Sequence, residues 1–145
     1  MDKLELMKIS LEEAKKSLKS QDVPVGAIIV KDGKIIAKAH NKRELLKSTC
    51  AHAEILAIKK ANKKLKCSRL DGADIYVTKE PCLMCMGAIL SARIRKIYFG
   101  VEDKRFGTQD LAVNNKFNHK CEIEGGILEE DCEELLTNFF RSLRN

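Results

Sequence analysis

The run Ala73 to Gly100, ADIYVTKEPCLMCMGAILSARIRKIYFG, decides the fold. Its first six residues, Ala73-Asp74-Ile75-Tyr76-Val77-Thr78, are rich in β-branched and aromatic side chains and read as a short strand. Pro81 stands where a first helical residue tolerates the lost N–H, opening Cys82-Leu83-Met84-Cys85-Met86-Gly87-Ala88-Ile89-Leu90 as an apolar helix. Lys96-Ile97-Tyr98-Phe99-Gly100 supplies the next strand. Strand, helix and strand in this order imply a crossover, in which the helix covers one face of a sheet with parallel strands.

The alternation extends in both directions. Upstream, Ala51-His52-Ala53-Glu54-Ile55-Leu56-Ala57-Ile58 continues as a helix to about Asn62, with Ser48 or Thr49 as its cap. Before it, Val25-Gly26-Ala27-Ile28-Ile29-Val30 and Lys34-Ile35-Ile36-Ala37-Lys38-Ala39 flank Asp32-Gly33, which reads as a hairpin because Gly tolerates the positive φ such turns demand. The first of these strands is apolar on both faces and is expected at the centre of the sheet. Leu4, Met7, Leu11, Ala14 and Leu18 recur at helical spacing and predict an amphipathic helix over residues 3 to 19, ended by Gln21-Asp22-Val23-Pro24. Downstream, residues 101 to 120 lack strong periodicity and Cys121-Glu122-Ile123 reads as one more short strand. Cys132, Leu135, Leu136, Phe139, Phe140 and Leu143 mark a terminal helix whose acidic start and Arg141/Arg144 end suit the helix dipole. The expected architecture is α/β, with a largely parallel sheet covered by helices on both faces.

At 145 residues, 44% hydrophobic and 33% charged, the chain fits one globular domain over 1–145. A domain of this size buries roughly 68–70% of its unfolded surface, enough for a core without disulfide staples, so the six cysteines need another explanation. No apolar run approaches the ~20 residues of a membrane helix, and Met1-Asp2-Lys3-Leu4-Glu5 lacks a secretory pattern. A soluble, cytoplasmic protein with reduced thiols is expected. The net charge of +6 is compatible with a polyanionic partner. A nucleotide-composition bias toward Lys, which outnumbers Arg by 20 to 7, would produce the same balance.

The chemistry gathers at two helix starts. Cys82 and Cys85 are three apart, so on a helix their sulfurs share a face and can grip one ion, and a helix N-terminus favours thiolate over thiol. His52 offers a third, imidazole ligand. Three protein ligands with an open fourth position is the catalytic zinc arrangement, in which a bound water becomes acidic enough to act near neutral pH. Positions i and i+2 do not face each other on a helix, so Glu54 is not expected to be a ligand beside His52 and suits a proton-shuttling role. A redox pair or a four-ligand structural site also uses C-x-x-C. The structural site would need a fourth ligand from Cys50, Cys67, Cys121, Cys132, His40 or His119, none of which forms a second close pair. Otherwise these four cysteines read as small buried hydrophobes.

H-x-E followed by P-C-x-x-C is the signature of the zinc-dependent nucleobase deaminases, and the chain resembles the bacterial tRNA adenosine deaminases along its whole length. The resemblance is carried by Val23-Pro24-Val25-Gly26-Ala27, Asn41, Ala51-His52-Ala53-Glu54-Ile55, Tyr76-Val77-Thr78, Glu80-Pro81-Cys82, Met84-Cys85, Ser91-Ala92-Arg93-Ile94, Asp103, Asn118-His119, Gly126-Ile127-Leu128 and Phe139-Phe140-Arg141. It implies a three-layer α/β/α cytidine-deaminase-like fold with a mixed, largely parallel sheet, a homodimer, and one zinc per chain held by His52, Cys82 and Cys85. The implied reaction converts the wobble adenosine of a tRNA anticodon loop to inosine. Water would attack C6 while Glu54 moves protons to N1 and to the departing amine.

By the same resemblance Asn41 would hydrogen-bond the target purine, Val25 would pack against it, Asp103 would contact the preceding ribose and Arg141 would reach a phosphate. Read alone, Asn41 is also a turn residue ending the hairpin, Asp103 a loop carboxylate, and Phe139 and Phe140 core residues of a helical stripe. Lys79, Met86, Arg105-Phe106 and Cys50 depart from the family pattern around the pocket rim. Lys59, Lys60, Lys63, Lys64, Lys66 and Arg69 form either a solvated helix face or an RNA track. Two other readings share the motif: a deaminase of free bases, which would not need a basic chain, and an inactive zinc-stabilised RNA-binding module, which would not need Glu54.

Overall fold

A computed structural model describes residues 1–144; Asn145, the last residue of the expected domain, lies outside the described residues. Five strands form one sheet, β1 (Gly26–Lys31), β2 (Lys34–His40), β3 (Asp74–Lys79), β4 (Lys96–Val101) and β5 (Glu122–Glu124), in the order β2-β1-β3-β4-β5. Four helices accompany it: α1 (Lys3–Lys15), α2 (Ala53–Leu65), α3 (Leu83–Ser91) and α4 (Glu129–Leu143). The layers are those expected. On one face α2 and α3 cover Ala27, Ile29, Ile75, Val77 and Ile97; on the other α1 and α4 cover Ile28 and Tyr76. None of these helices is long and apolar enough to cross a membrane.

The sheet is mixed, and its parallel character is confined to β3-β4-β5. β1 pairs antiparallel with both β2 and β3. The hairpin is the reason: β2 and β3 run in the same direction with α2 crossing between them, but β1 has slipped into the gap, so a parallel crossover is recorded as two antiparallel ladders. The hairpin turn takes Asp32 and Gly33 at φ 51° and 75°, the pair of positive values a type I′ turn requires. β1 is central and buried on both faces, as its apolar run implied.

Three boundaries differ from the local expectation. α1 ends at Lys15 and tightens into a 3-10 segment over Lys16–Ser20. Its buried stripe is Leu6, Met7, Ser10, Leu11 and Ala14, whereas Leu4 and Leu18 are exposed. Gly26 sets that stripe: a Cβ there would fall 2.0 Å from the Ser10 carbonyl oxygen, so only glycine lets α1 lie this close on β1. Ser10 closes the contact by donating its hydroxyl to the Tyr76 carbonyl at 3.1 Å. Neither Ser48 nor Thr49 caps α2, whose cap residue is His52. Pro81 precedes the α3 cap, Cys82, rather than opening the helix. Gly100 admits α4 in the same manner as Gly26 admits α1, because a Cβ there would meet Cys132 Sγ at 2.3 Å.

Candidate metal centre and substrate pocket

Both helix starts that carry the motif residues converge on one point. His52 caps α2 with extended backbone (φ −80°, ψ 151°), and Cys82 caps α3 in the same conformation (φ −72°, ψ 174°). Neither side chain is used for capping, which frees both for other partners. The first N–H of α2, on Ala53, is satisfied instead by Asn41 Oδ1 at 2.8 Å, from the end of β2. Asn41 Nδ2 donates to the Val23 carbonyl at 3.0 Å, so this one amide joins the entry of β1, the exit of β2 and the start of α2.

His52 Nδ1 lies 3.6 Å from Cys82 Sγ and 3.5 Å from Cys85 Sγ, and the three ligand atoms are all within 4.8 Å of one another. A tetrahedral zinc ion with Zn–S of about 2.3 Å and Zn–N of about 2.0–2.1 Å needs an S···N separation of about 3.6 Å. The residues therefore fit such an ion in donor type and in spacing. No further His, Cys, Asp or Glu joins the group among the described residues. Cys121 and Cys132 are buried elsewhere, as expected. Cys50 and Cys67 are exposed, contrary to their reading as buried hydrophobes, because each sits in the irregular segment beside a helix end.

The electrostatics favour a cation at this point. Hydrogen bonds from Cys85 and His52, against the opposing effect of burial, hold the Cys82 thiol down at about 4. Cys85 is pushed up by the Cys82 sulfur and by burial, and His52 is raised chiefly by its bond to Cys82. Glu54 is 4% exposed, and burial pushes its carboxyl up to about 7. Two helix N-termini also direct their partial positive charge here, which stabilises thiolate.

The centre opens into a cavity of about 420 Å³, within the range of small-ligand sites. Val25, Asn41, Glu54 and Asp103 all line it with His52 and Cys82, so seven of the eight residues singled out in the sequence lie together, Cys85 being the buried third ligand. Arg141 does not join them. Its neighbours Phe139, Phe140 and Leu143 line the cavity, while Arg141 projects from another side of α4 with Glu133, Thr137 and Arg144. Phe139 is 7% exposed and Phe140 40%, so the aromatic pair serves as core and as pocket wall. The basic run from Lys59 to Arg69 follows the exposed C-terminal half of α2 and lies outside the cavity lining.

Two buried carboxylates shape the rim, and neither has a role assigned from sequence. Asp22 accepts the Glu44 N–H at 2.6 Å, the Leu45 N–H at 3.3 Å and the Ser20 hydroxyl, fixing the loop after Asn41. Glu80 accepts the Asp103 N–H at 2.9 Å, the Thr108 N–H at 2.6 Å and the Gln109 N–H at 3.1 Å, fixing the loop after β4. The only sequence signal for either was its nearness to a proline, Glu80 directly before Pro81 and Asp22 two residues before Pro24. Asp103 is a loop carboxylate in part: its Oδ1 accepts from the Arg105 and Phe106 N–H groups at 3.0 and 2.9 Å. Those bonds outweigh burial and, with Lys79, hold it below the usual carboxylate range.

Comparison with known proteins meets this geometry from another side. The MafB19-like deaminase family model matches residues 1–144. A tRNA-specific adenosine deaminase of Bacillus subtilis (strain 168) is 46% identical over 142 residues, covering 95% of this chain and 88% of the relative. The enzyme of that name from Aquifex aeolicus (strain VF5) is also 46% identical, over 149 residues that cover 100% of this chain and 98% of the relative. A solved chain from studies of A-to-I editing by tRNA:A34 deaminases at the wobble position of transfer RNA superposes with a TM-score of 0.83 at 38% identity. The superposition covers 91% of this chain and 99% of that one.

Proposed function

Because the chain belongs to the tRNA-specific adenosine deaminases of the MafB19-like deaminase family, we propose that it converts adenosine to inosine at the wobble position of a tRNA anticodon loop. The observation that carries this reading is the convergence of His52, Cys82 and Cys85 beside buried Glu54 on the floor of a 420 Å³ cavity. A zinc ion held by those three ligands would supply a Lewis acid that makes water acidic near neutral pH.

The chain's own residues supply the remaining steps. Glu54, with its carboxyl pushed up to about 7, is poised to take and return a proton near neutral pH. It accepts a proton from the attacking water and delivers it to N1 of the ring, then takes the remaining proton of the hydroxyl added at C6 and delivers it to the departing amine, so that water is consumed and ammonia released. Val25 packs against the ring. Asn41 keeps one N–H and one lone pair beyond its bonds to Val23 and Ala53, which suits it to the purine edge. Asp103 contacts the ribose of the preceding nucleotide, and Arg141 meets a phosphate outside the cavity. The adenosine must leave its stack to enter, which is cheapest in a single-stranded loop.

The same reading includes a cytoplasmic homodimer. Exposed Leu83 at the start of α3, with Phe117 3.8 Å from the place of a Cβ on Gly87, offers an apolar face for a second copy. Purified protein incubated with total tRNA is expected to form inosine at the wobble position and to leave free guanine, cytosine and adenine unchanged. Turnover of a free base without inosine in tRNA would overturn the assignment, and sedimentation as a monomer would remove the dimer.

A further inference from the structure

Alternate residues of a strand share a face, and the row of β3 that faces α2 and α3 reads Ile75, Val77, Lys79. The first two are fully buried in the core. The third is a cation at the C-terminal end of the strand, where the row reaches the cavity beside Cys82, Glu54 and Asp103. A lysine here is not required by the fold, since an apolar residue would continue the row.

Nor is Lys79 required to hold Asp103. That carboxylate is placed by the Arg105 and Phe106 N–H groups, and its own N–H is placed by Glu80. Lys79 Nζ stands 3.6 Å from Asp103 Oδ2, longer than a charge-assisted hydrogen bond of about 2.7–2.9 Å. The ammonium has three donors to offer, and its side chain is 33% exposed and lines the cavity. Arg43 and Lys79 are the two Lys or Arg side chains lining the cavity, against the carboxylates of Asp22, Glu44, Glu54, Glu80 and Asp103. Arg43 belongs to the wall anchored by Asp22, so on the side anchored by Glu80 Lys79 is the cation that lines the cavity itself, Lys104 and Arg105 lying on the loop outside the lining.

We propose that Lys79 is a substrate-binding residue whose ammonium takes a backbone phosphate of the RNA strand next to the nucleotide in the cavity. The proposal rests on the tRNA deaminase reading and deepens it. Lys79 gives the site a grip on a polynucleotide that a free base cannot use. The contact is with the phosphate, so it adds affinity without reading sequence.

The experiment compares wild type, Lys79→Met and Lys79→Arg on an anticodon stem-loop carrying a wobble adenosine. Met keeps the length of the stem and lets the apolar row continue; Arg keeps the charge. Binding is measured across a salt series, and single-turnover inosine formation alongside it. Lys79→Met is expected to lower the slope of log affinity against log salt by ~0.7, the value for one phosphate of a single strand, and Lys79→Arg to keep the wild-type slope. Stem-loops with a neutral methylphosphonate at each linkage flanking the adenosine, one at a time, provide the second arm. At one of these linkages the difference between wild type and Lys79→Met should vanish. Equal slopes and affinities for wild type and Lys79→Met overturn the proposal, as does a Lys79→Met defect that persists on both methylphosphonate substrates. Failure of the wild type to form inosine on the stem-loop would remove the functional reading instead, and the salt slopes would still decide whether Lys79 binds phosphate.

Discussion

Replacing Glu80 by Gln changes one atom and should loosen one wall of the cavity. Glu80 is 3% exposed, with Oε1 accepting from Asp103 N–H and Oε2 from Thr108 N–H and Gln109 N–H. A glutamine can turn its carbonyl oxygen toward the Thr108 and Gln109 pair, but its amide nitrogen then faces the Asp103 N–H, donor against donor. One charge-assisted bond, worth about 1.5–3 kcal/mol, is lost and the other two become neutral. Relief of the cost of burying a carboxylate offsets part of this, leaving about 2–3 kcal/mol. If the loop opens as a local unit, the Asp103, Thr108 and Gln109 amides should exchange with solvent roughly 30–150-fold faster in Glu80→Gln. Amides of β1 and β3 should change far less. Hydrogen exchange read by NMR at single amides is the assay, with a urea titration for the global term. Exchange of those three amides within threefold of wild type would refute the idea that Glu80 holds the loop.

Three further outcomes follow from the centre and from α1. Metal analysis should find one zinc per chain, and the cobalt form should show a ligand field with two thiolates; three or four would mean that another cysteine had been recruited. Glu54→Gln should keep fold and metal while turnover falls about 10²–10⁴-fold, and near wild-type turnover would assign the proton transfers elsewhere. The third outcome is acid sensitivity. Burial works against ionised Glu13, yet Lys16 at 3.0 Å and His40 at 3.3 Å hold it below its ordinary value of 4.5. Its stabilisation is thus complete above pH 4.5 and lost as pH falls through the lower folded value. Burial likewise pushes His40 below its usual 6.5 despite Glu13, so stability should already decline below about pH 6.5 as the unfolded chain takes up the proton. Urea midpoints between pH 3.5 and 8 should show both limbs in wild type, and Glu13→Gln should flatten the lower one; an unchanged lower limb contradicts the role given to Glu13.

The elements that could be read from sequence are those whose pattern is local. β1, β3 and β4 announce themselves by unbroken apolar or β-branched runs, and the metal ligands by a cysteine pair at helical spacing plus a histidine at a second helix start. What was hidden depends on partners far along the chain. The acceptor for the first N–H of α2 is Asn41, twelve positions back, so the local rule that chose Ser48 or Thr49 could not find it. The stripe of α1 is set by a glycine in β1, which is why Leu4 and Leu18 match the helical period and still face solvent. Glu80 carries no periodic signal, and its N–H partners lie 23 to 29 residues away. The mixed character of the sheet was legible, but the antiparallel pairing of β1 with β3 was not, because nothing in the hairpin says that its first strand will insert between β2 and β3.

The two buried rim carboxylates explain how the outer pocket can vary while the chemistry stays fixed. Asp22 and Glu80 bind main-chain N–H groups, so the loops after Asn41 and after β4 are held by backbone atoms that every residue type except proline supplies. Asp103 and Thr108 add side-chain bonds to the second loop, but other side chains there are left free of structural duty. Phe106, 66% exposed, contributes its N–H to Asp103 and leaves its ring to solvent. Arg105 contributes its N–H in the same way. Lys79 stands next to the anchor rather than in it. Substitution of these side chains changes the surface around the loop after β4, while His52, Cys82, Cys85 and Glu54 remain set by two helix starts and the core beneath them. The side chains of Lys79, Arg105 and Phe106 are thus placed where they can be replaced without moving the residues that converge at the centre.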